Sequence, residues 1–78
     1  KTTAPAGAIR AIVIDDSPTV RDFLSAILGQ NGDIQVVGSG ANGEEALRLA
    51  HDLKPDVITM DIRMPRMDGL EATRRIMA

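Results

Sequence analysis

The residues of this chain best suited to chemistry are acids that follow two apolar runs. Asp15 and Asp16 come directly after residues 11–14, and Asp61 comes directly after residues 57–60. Carboxylates that share a site raise one another's pKa unless a cation balances them. Because Mg²⁺ prefers carboxylate, phosphate and water oxygens, these acids predict a magnesium site if the fold brings them together. Asp61, the single acid facing a pair, is then the predicted nucleophile toward a phosphoryl group.

The elements that would position these acids follow from the apolar pattern. Three apolar runs of strand length alternate with three segments of helical spacing, and short connections join them. This alternation predicts an α/β fold with a parallel sheet and right-handed crossovers. The first run is continuously apolar, as in a strand buried on both faces, so we expect the strand order 2-1-3 with helices on both faces. The predicted strands are residues 11–14, 34–37 and 57–60.

In that order the first and third strands are neighbours, and the winding direction reverses between them. Parallel α/β sheets bind ligands at such a switch point, outside the carboxyl ends of the strands. Asp15, Asp16 and Asp61 are therefore expected to converge there.

The starts of the predicted helices carry capping signals. Ser17 is a good N-cap, and Pro18 suits the first helical position. The glycine-rich segment 38–43 is predicted to be a loop before the second helix. The capping-box pattern, a polar residue followed three positions later by Glu, occurs twice, as Asn42 with Glu45 and as Asp68 with Glu71.

Composition excludes several classes of partner. The chain has 78 residues, enough for one small domain, and a net charge of −2 with no basic run, which argues against nucleic acid. Phe23 is the only aromatic residue, so bases would have nothing to stack on. No apolar run is long enough to cross a membrane. The absence of cysteine fits a reducing cytoplasm, and residues 1–8 are interpreted as a disordered lead-in.

Two segments of the sequence resemble the receiver domain of two-component response regulators. They are Ile-Val-Ile-Asp-Asp-Ser, ending at Ser17, and Pro-Asp-Val-Ile-Thr-Met-Asp-Ile-Arg-Met-Pro-Arg-Met-Asp-Gly, ending at Gly69. Within that family, Asp-Asp-Ser-Pro-Thr-Val-Arg and Met-Pro-Arg-Met-Asp-Gly-Leu are most similar to the receivers of chemotaxis protein-glutamate methylesterases. The resemblance covers residues 9–78 and implies the first half of a flavodoxin-like, doubly wound domain.

The resemblance also implies a role for each matching residue. Asp61 would accept a phosphoryl group from a chemotaxis-type histidine kinase. Asp16 would bind Mg²⁺ directly, Asp15 largely through water, and the backbone carbonyl of Arg63 would complete the protein ligands. The positions that would shape the loop and start the third helix close to the site are Pro65 and Gly69.

The matched part stops before the Ser/Thr that follows the fourth strand of a receiver and before the Lys that follows its fifth. Phosphorylation is therefore expected to be impaired, and no methylesterase domain is matched. The third strand is expected to have an unpaired edge, and part of the helical face with Phe23, Leu24 and Ile27 is expected to lie open. An edge beside apolar surface favours association. We therefore expect a homodimer or swapped oligomer that closes this edge, or a fragment of a longer chain.

Three other functions deserve comparison. One is an interaction module that self-associates without phosphoryl chemistry. A metal-dependent phosphohydrolase needs an acid two residues after the nucleophile, where this chain has Arg63. The third is a dinucleotide site, because residues 38–43 match G-x-G-x-x-G and Asp61 follows the next strand. Glu44 and Glu45 oppose it, since a pyrophosphate needs a helix start free of negative charge.

Overall fold

Strands and helices alternate along the whole described part of the chain. The computed structural model describes residues 7–61 and 69–78. The strands form one parallel sheet in the order β2-β1-β3, so the predicted order and fold class are confirmed. The elements are β1 (Ile9–Ile14), α1 (Pro18–Gly29), β2 (Ile34–Gly40), α2 (Gly43–Leu53), β3 (Val57–Met60) and α3 (Gly69–Met77).

The core is built around β1, the central strand. Ala11 through Ile14 are all buried, as a strand covered on both faces requires. Ile12 and Ile14 point to the face that α2 covers, where α3 packs against α2. Ala11 and Val13 alternate with them and face the opposite side, which α1 covers. The remaining members of the Ile12 cluster are Ala46, Val37, Leu49, Leu53, Ile58 and Met60.

β2 is longer than the sequence predicted. We expected a strand that ends at residue 37 and a loop over residues 38–43, but the strand continues to Gly40. Its pairing with β1 shifts between Ala11 and Ile12 and then runs on to pair Ile14 with Gly40. The prediction of a loop from residue 38 was therefore wrong.

The two glycines at the end of β2 let α2 lie close to the sheet. A Cβ atom at Gly38 would be 2.9 Å from Cδ1 of Leu53. A Cβ at Gly40 would be 3.0 Å from Cβ of Glu45 and 3.1 Å from Cδ1 of Ile14. Real Cβ atoms are rarely so close to other atoms. A larger residue at Gly40 would displace Glu45 of α2 or Ile14 by a few tenths of an ångström, and one at Gly38 would displace the end of the Leu53 side chain. Close helix packing, and not a turn, is the physical reason for these glycines.

Local hydrogen bonds confirm the first two predicted helix starts. The Ser17 hydroxyl accepts from the Val20 N–H at 3.3 Å. The Asn42 side chain accepts from the Glu45 N–H at 2.9 Å, and the Glu45 carboxylate accepts in return from the Ala41 N–H at 2.6 Å. The return bond thus reaches one residue further back than a standard capping box.

Arg10 joins the end of α2 to the starts of β1 and β3. Its guanidinium Nη1 donates to the carbonyls of Leu53 and Lys54, at 2.5 and 3.1 Å. These carbonyls belong to the last turn of α2, and Lys54 ends it in the left-handed region with φ 46°. Two further hydrogen bonds join Arg10 and Asp56. The Arg10 N–H donates to the Asp56 carboxylate at 2.9 Å, and the Asp56 N–H donates to the Arg10 carbonyl at 2.7 Å. The bonds between Arg10 and Asp56 lie one residue before Ala11 and Val57, the first registered pair of β1 and β3.

α3 carries an ion-pair cluster on its surface. The Glu71 carboxylate accepts from Arg74 at 2.6 Å and from Arg75 at 2.7 Å. These hydrogen bonds hold the pKa of Glu71 below its ordinary value of 4.5. Asp68, the predicted partner of Glu71 in a capping box, lies outside the described residues.

Apolar surface lies open on α1 and on β3. Phe23 is 64% exposed and Ile27 is 45% exposed, while Leu24 is half-buried. Val57, at the start of β3, is 46% exposed, and within the described residues β3 pairs with β1 alone. The expected open helical face and edge strand are both confirmed for this part of the chain.

Across residues 7–61 and 69–78, every helix is too short or too polar to cross a membrane.

Candidate functional site

The ends of β1 and β3 bring the acids to one edge of the sheet. Ile14 and Met60 form the last registered pair of these strands, and an acid follows each. The Asp61 N–H donates to the Ile14 carbonyl at 3.1 Å, and the Asp15 N–H donates to the Gly40 carbonyl at 3.0 Å. Sheet hydrogen bonds therefore fix the backbone of both acids at the carboxyl ends of adjacent strands.

The three carboxylates converge. One oxygen each of Asp15, Asp16 and Asp61 lies within 4.8 Å of the other two. Asp15 and Asp61 are half-buried, and Asp16 is exposed. The cluster therefore has a protein-facing side and an open side from which a ligand could enter.

The turn from β1 into α1 shapes the Asp15 side of the cluster. Oδ1 of Asp15 accepts from the Ser17 N–H at 2.9 Å, which closes a local turn. Nη1 of Arg21 donates to the Asp15 backbone carbonyl at 2.8 Å. Arg21 was not among the predicted site residues. Arg21 is the last residue of the matched segment Asp-Asp-Ser-Pro-Thr-Val-Arg, one helical turn after the N-cap Ser17, but that pattern does not indicate a bond to the Asp15 carbonyl.

The donor set fits Mg²⁺. In an octahedral Mg²⁺ site with bonds of about 2.1 Å, neighbouring oxygens are about 3 Å apart and opposite ones about 4.2 Å. The three carboxylate oxygens lie within 4.8 Å of one another, so side-chain rotation would have to bring the more distant ones to those separations. All three donors are carboxylate oxygens, which hard cations prefer, and the exposed side leaves room for water or a phosphate.

The loop that the sequence analysis assigned to this site is described only at its end. Arg63 and Pro65 lie outside the described residues. Gly69 is buried as the first residue of α3, and its carbonyl accepts from the Thr73 hydroxyl at 2.6 Å.

The geometry counts against a dinucleotide site at residues 38–43. The Glu45 N–H already donates to Asn42, and the Ala41 N–H already donates to the Glu45 carboxylate. A pyrophosphate would need such N–H groups, and Glu44 and Glu45 place negative charge in the same turn. In addition, β2 is an edge strand of the described sheet, whereas this fingerprint belongs beside the switch point.

Comparison with known proteins assigns the family. The sequence pattern of the response regulator receiver domain matches residues 11–78. The chain belongs to this family. This match confirms the resemblance seen in the sequence, and all three acids of the cluster lie within the matched residues.

The similar curated proteins are protein-glutamate methylesterases/protein-glutamine glutaminases. The chain is 54% identical over 69 residues to a protein-glutamate methylesterase/protein-glutamine glutaminase of Syntrophus aciditrophicus. The aligned region covers 88% of this chain and 20% of that protein. The chain is also 54% identical over 70 residues to one from Pseudomonas aeruginosa, covering 90% of this chain and 19% of that protein. The chain thus spans about a fifth of the length of the curated relatives it matches.

Solved structures agree on the fold. The response regulator domain of Thermotoga maritima CheB has a TM-score of 0.88 and 48% identity, covering 90% of this chain and 52% of that one. The CheX-CheY-BeF3-Mg+2 complex from Borrelia burgdorferi has a TM-score of 0.81 and 27% identity, covering 96% of this chain and 62% of that one. The described strands and helices are therefore those of a receiver domain.

Proposed function

We propose that this chain is the phosphoacceptor receiver of a chemotaxis-type response regulator, in which Asp61 receives a phosphoryl group from a histidine kinase. The observation that carries the proposal is the convergence of Asp15, Asp16 and Asp61 at the switch point of a receiver-family sheet. Similar curated proteins carry the name protein-glutamate methylesterase/protein-glutamine glutaminase, which supports a chemotaxis-type assignment. As whole proteins they are methylesterases, and this chain matches only a fifth of their length, so its proposed part is reception of the signal.

Phosphoryl transfer to Asp61 needs one bond formed and one broken. A carboxylate oxygen of Asp61 attacks the phosphorus of a phosphohistidine and forms an acyl phosphate. The phosphorus–nitrogen bond breaks, and its electron pair returns to the imidazole, which leaves as the neutral ring after protonation. The hydrogen bond from the Asp61 N–H to the Ile14 carbonyl holds the backbone of Asp61 at the strand end, beside the exposed acid Asp16.

Mg²⁺, when bound, would neutralise the charge that develops on the phosphoryl oxygens. Asp16, the exposed acid, is the proposed direct ligand, together with Asp61 and the backbone carbonyl of Arg63. One Asp15 oxygen already accepts from the Ser17 N–H, which suits a contact through water. Mg²⁺ is also part of the solved CheX-CheY complex to which the chain is similar. The loop with Pro65 and Gly69 is proposed to support this ligand set.

The receiver unit is proposed to comprise residues 9–78, with residues 1–8 as a lead-in. The first strand begins at Ile9, and the family match begins two residues later. Residues 1–6 lie outside the described part of the chain.

Labelling by acetyl phosphate tests the proposed function. The expected result in the presence of Mg²⁺ is a mass gain of one phosphoryl group on a fraction of the chains, in line with the impaired phosphorylation expected from the sequence, and EDTA should abolish this gain. Asp16→Asn should raise the Mg²⁺ concentration needed for labelling about tenfold or more, since a direct ligand loses its charge. Labelling of equal extent with and without Mg²⁺ would contradict the metal site.

Self-association is a second candidate function, favoured by the open β3 edge. We propose a homodimer or swapped oligomer in which this edge is closed. Val57 is 46% exposed there, and unpaired strand edges template pairing with another chain. Light scattering at high micromolar concentration should then give a mass above the 8.3 kDa of one chain.

A charged residue at the edge should reverse this association. Val57→Lys is expected to return the mass to that of one chain, because lysine on an edge strand opposes pairing. Val20→Lys, the same change at an exposed position on α1, is the matched control and should leave the mass unchanged. A wild-type chain that stays monomeric at this concentration would rule out the dimer.

A further inference from the structure

Arg21 connects α1 to the backbone of the acidic cluster. It is half-buried on the first turn of α1, and its Nη1 donates to the Asp15 carbonyl at 2.8 Å. A hydrogen bond from a guanidinium is stronger than one between neutral groups. This contact therefore provides a definite anchor for the turn that leaves β1.

With Arg21 in place, both backbone polar groups of Asp15 and one of its carboxylate oxygens are hydrogen-bonded. Its N–H donates to the Gly40 carbonyl, one carboxylate oxygen accepts from the Ser17 N–H, and its carbonyl accepts from Arg21. The Asp15 carbonyl and the Asp16 N–H belong to the same planar peptide unit. Fixing that carbonyl therefore fixes the plane from which the Asp16 side chain starts.

Asp16 depends on this backbone anchor more than its neighbours do. Its side chain is exposed, and across residues 7–61 and 69–78 the structure gives it no hydrogen bond. Asp15 has its local turn, and Asp61 has the sheet hydrogen bond to Ile14. The backbone therefore sets where the Cβ of Asp16 lies, and with it the region that the carboxylate can reach through its rotamers.

We infer that Arg21 is a positioning residue, which holds the Asp15–Asp16 peptide so that the Asp16 carboxylate stays beside those of Asp15 and Asp61. The consequence for Mg²⁺ rests on the proposed function, whereas the consequence for the backbone of Asp16 does not. Arg21 acts through this peptide and has no contact with the reacting atoms in this scheme.

Two opposing effects on Mg²⁺ affinity can be compared by size. Removing a cation near three carboxylates favours Mg²⁺, but interactions between partly exposed charges are weak and screened by salt. Loss of a group that orients a metal ligand typically weakens metal binding about 10- to 100-fold. Positioning is the larger effect, so substitution of Arg21 should weaken Mg²⁺ binding.

The test compares Arg21→Gln, Arg21→Lys and a matched control in the full 78-residue chain. Arg48→Gln is the control, because this substitution removes the same charge as Arg21→Gln. Arg48 is exposed on α2 and lies outside the acidic cluster. The first readout is the NMR order parameter of the Asp16 amide without metal. This order parameter should fall below the rigid value of about 0.85 in Arg21→Gln. In the control it should stay at the rigid value.

The second readout is Mg²⁺ affinity, measured by titration of the amide shifts of Asp15, Asp16 and Asp61. Arg21→Gln is expected to bind Mg²⁺ about tenfold more weakly than the wild type. Arg21→Lys keeps a charged donor that can reach the carbonyl and should recover part of the affinity, though without the planar guanidinium geometry. The control should bind like the wild type.

The outcomes separate this inference from the proposed function. An unchanged Asp16 order parameter in Arg21→Gln would overturn the inference, whatever the Mg²⁺ result. A reduced order parameter with a wild type that binds no Mg²⁺ would support Arg21 as the positioning residue and refute the metal site. If Arg21→Gln unfolds, the lysine variant decides: full loss of affinity in a folded Arg21→Lys chain would also overturn it.

Discussion

Asp61→Asn is expected to abolish covalent labelling of the chain by acetyl phosphate and Mg²⁺. The amide of asparagine has nearly the shape of the carboxylate but lacks the anionic oxygen that attacks phosphorus. The backbone of residue 61 is held by its N–H bond to Ile14, which the substitution leaves in place. The loss should therefore reflect chemistry and not misfolding. Intact mass measurement and peptide mapping after the reaction provide the readout.

Asp33→Asn is the matched control for this experiment. Asp33 is exposed at the opposite end of the sheet, where its carbonyl accepts from the Ile9 N–H at the start of β1. Its labelling should equal that of the wild type. If the Asp61→Asn chain still carries a phosphoryl group, the nucleophile assignment is wrong, and mapping would show whether Asp15 or Asp16 accepts it instead.

The predictable part of the site follows from strand order. A continuous apolar run identifies β1 as the central strand, and acids at its end and at the end of β3 must then meet. This reasoning needs no side-chain detail, because parallel neighbours end at the same edge. The helix starts at Ser17 and Asn42 could also be predicted from the sequence, since capping depends on residues three positions apart.

The parts that the sequence could not reveal depend on contacts between distant segments. In the sequence, Gly38 and Gly40 are typical of a loop. In the structure they extend β2, where their lack of a side chain leaves room for α2. Arg10 reaches carbonyls 43 and 44 residues away. Arg21 bonds to a backbone atom, so its partner's side-chain type carries no signal. In each case the deciding neighbour is set by tertiary packing.

The strand that leads into Asp15 also carries most of the buried core, so a change in that core is expected to affect both the stability of the chain and the position of Asp15. Ile12 is 0% exposed, pairs with Gly38 on one side and Ile58 on the other, and packs against Ala46 of α2. Removing its side chain beyond Cβ leaves a cavity that the surrounding strands can only partly close. The penalty is therefore the lost burial plus the cavity.

Ile12→Ala is expected to lower the free energy of unfolding by about 3 kcal/mol. A chain of 78 residues has roughly 4–12 kcal/mol in total, so this change removes a large share of its stability. Urea unfolding followed by circular dichroism is the suitable measurement, because the chain has no Trp or Tyr for fluorescence. Ile9→Ala, the same substitution in the same strand at a position 41% exposed, should cost far less. Equal losses for the two variants would show that β1 is not the centre of the core, and the positioning of Asp15 by that strand would have to be reconsidered.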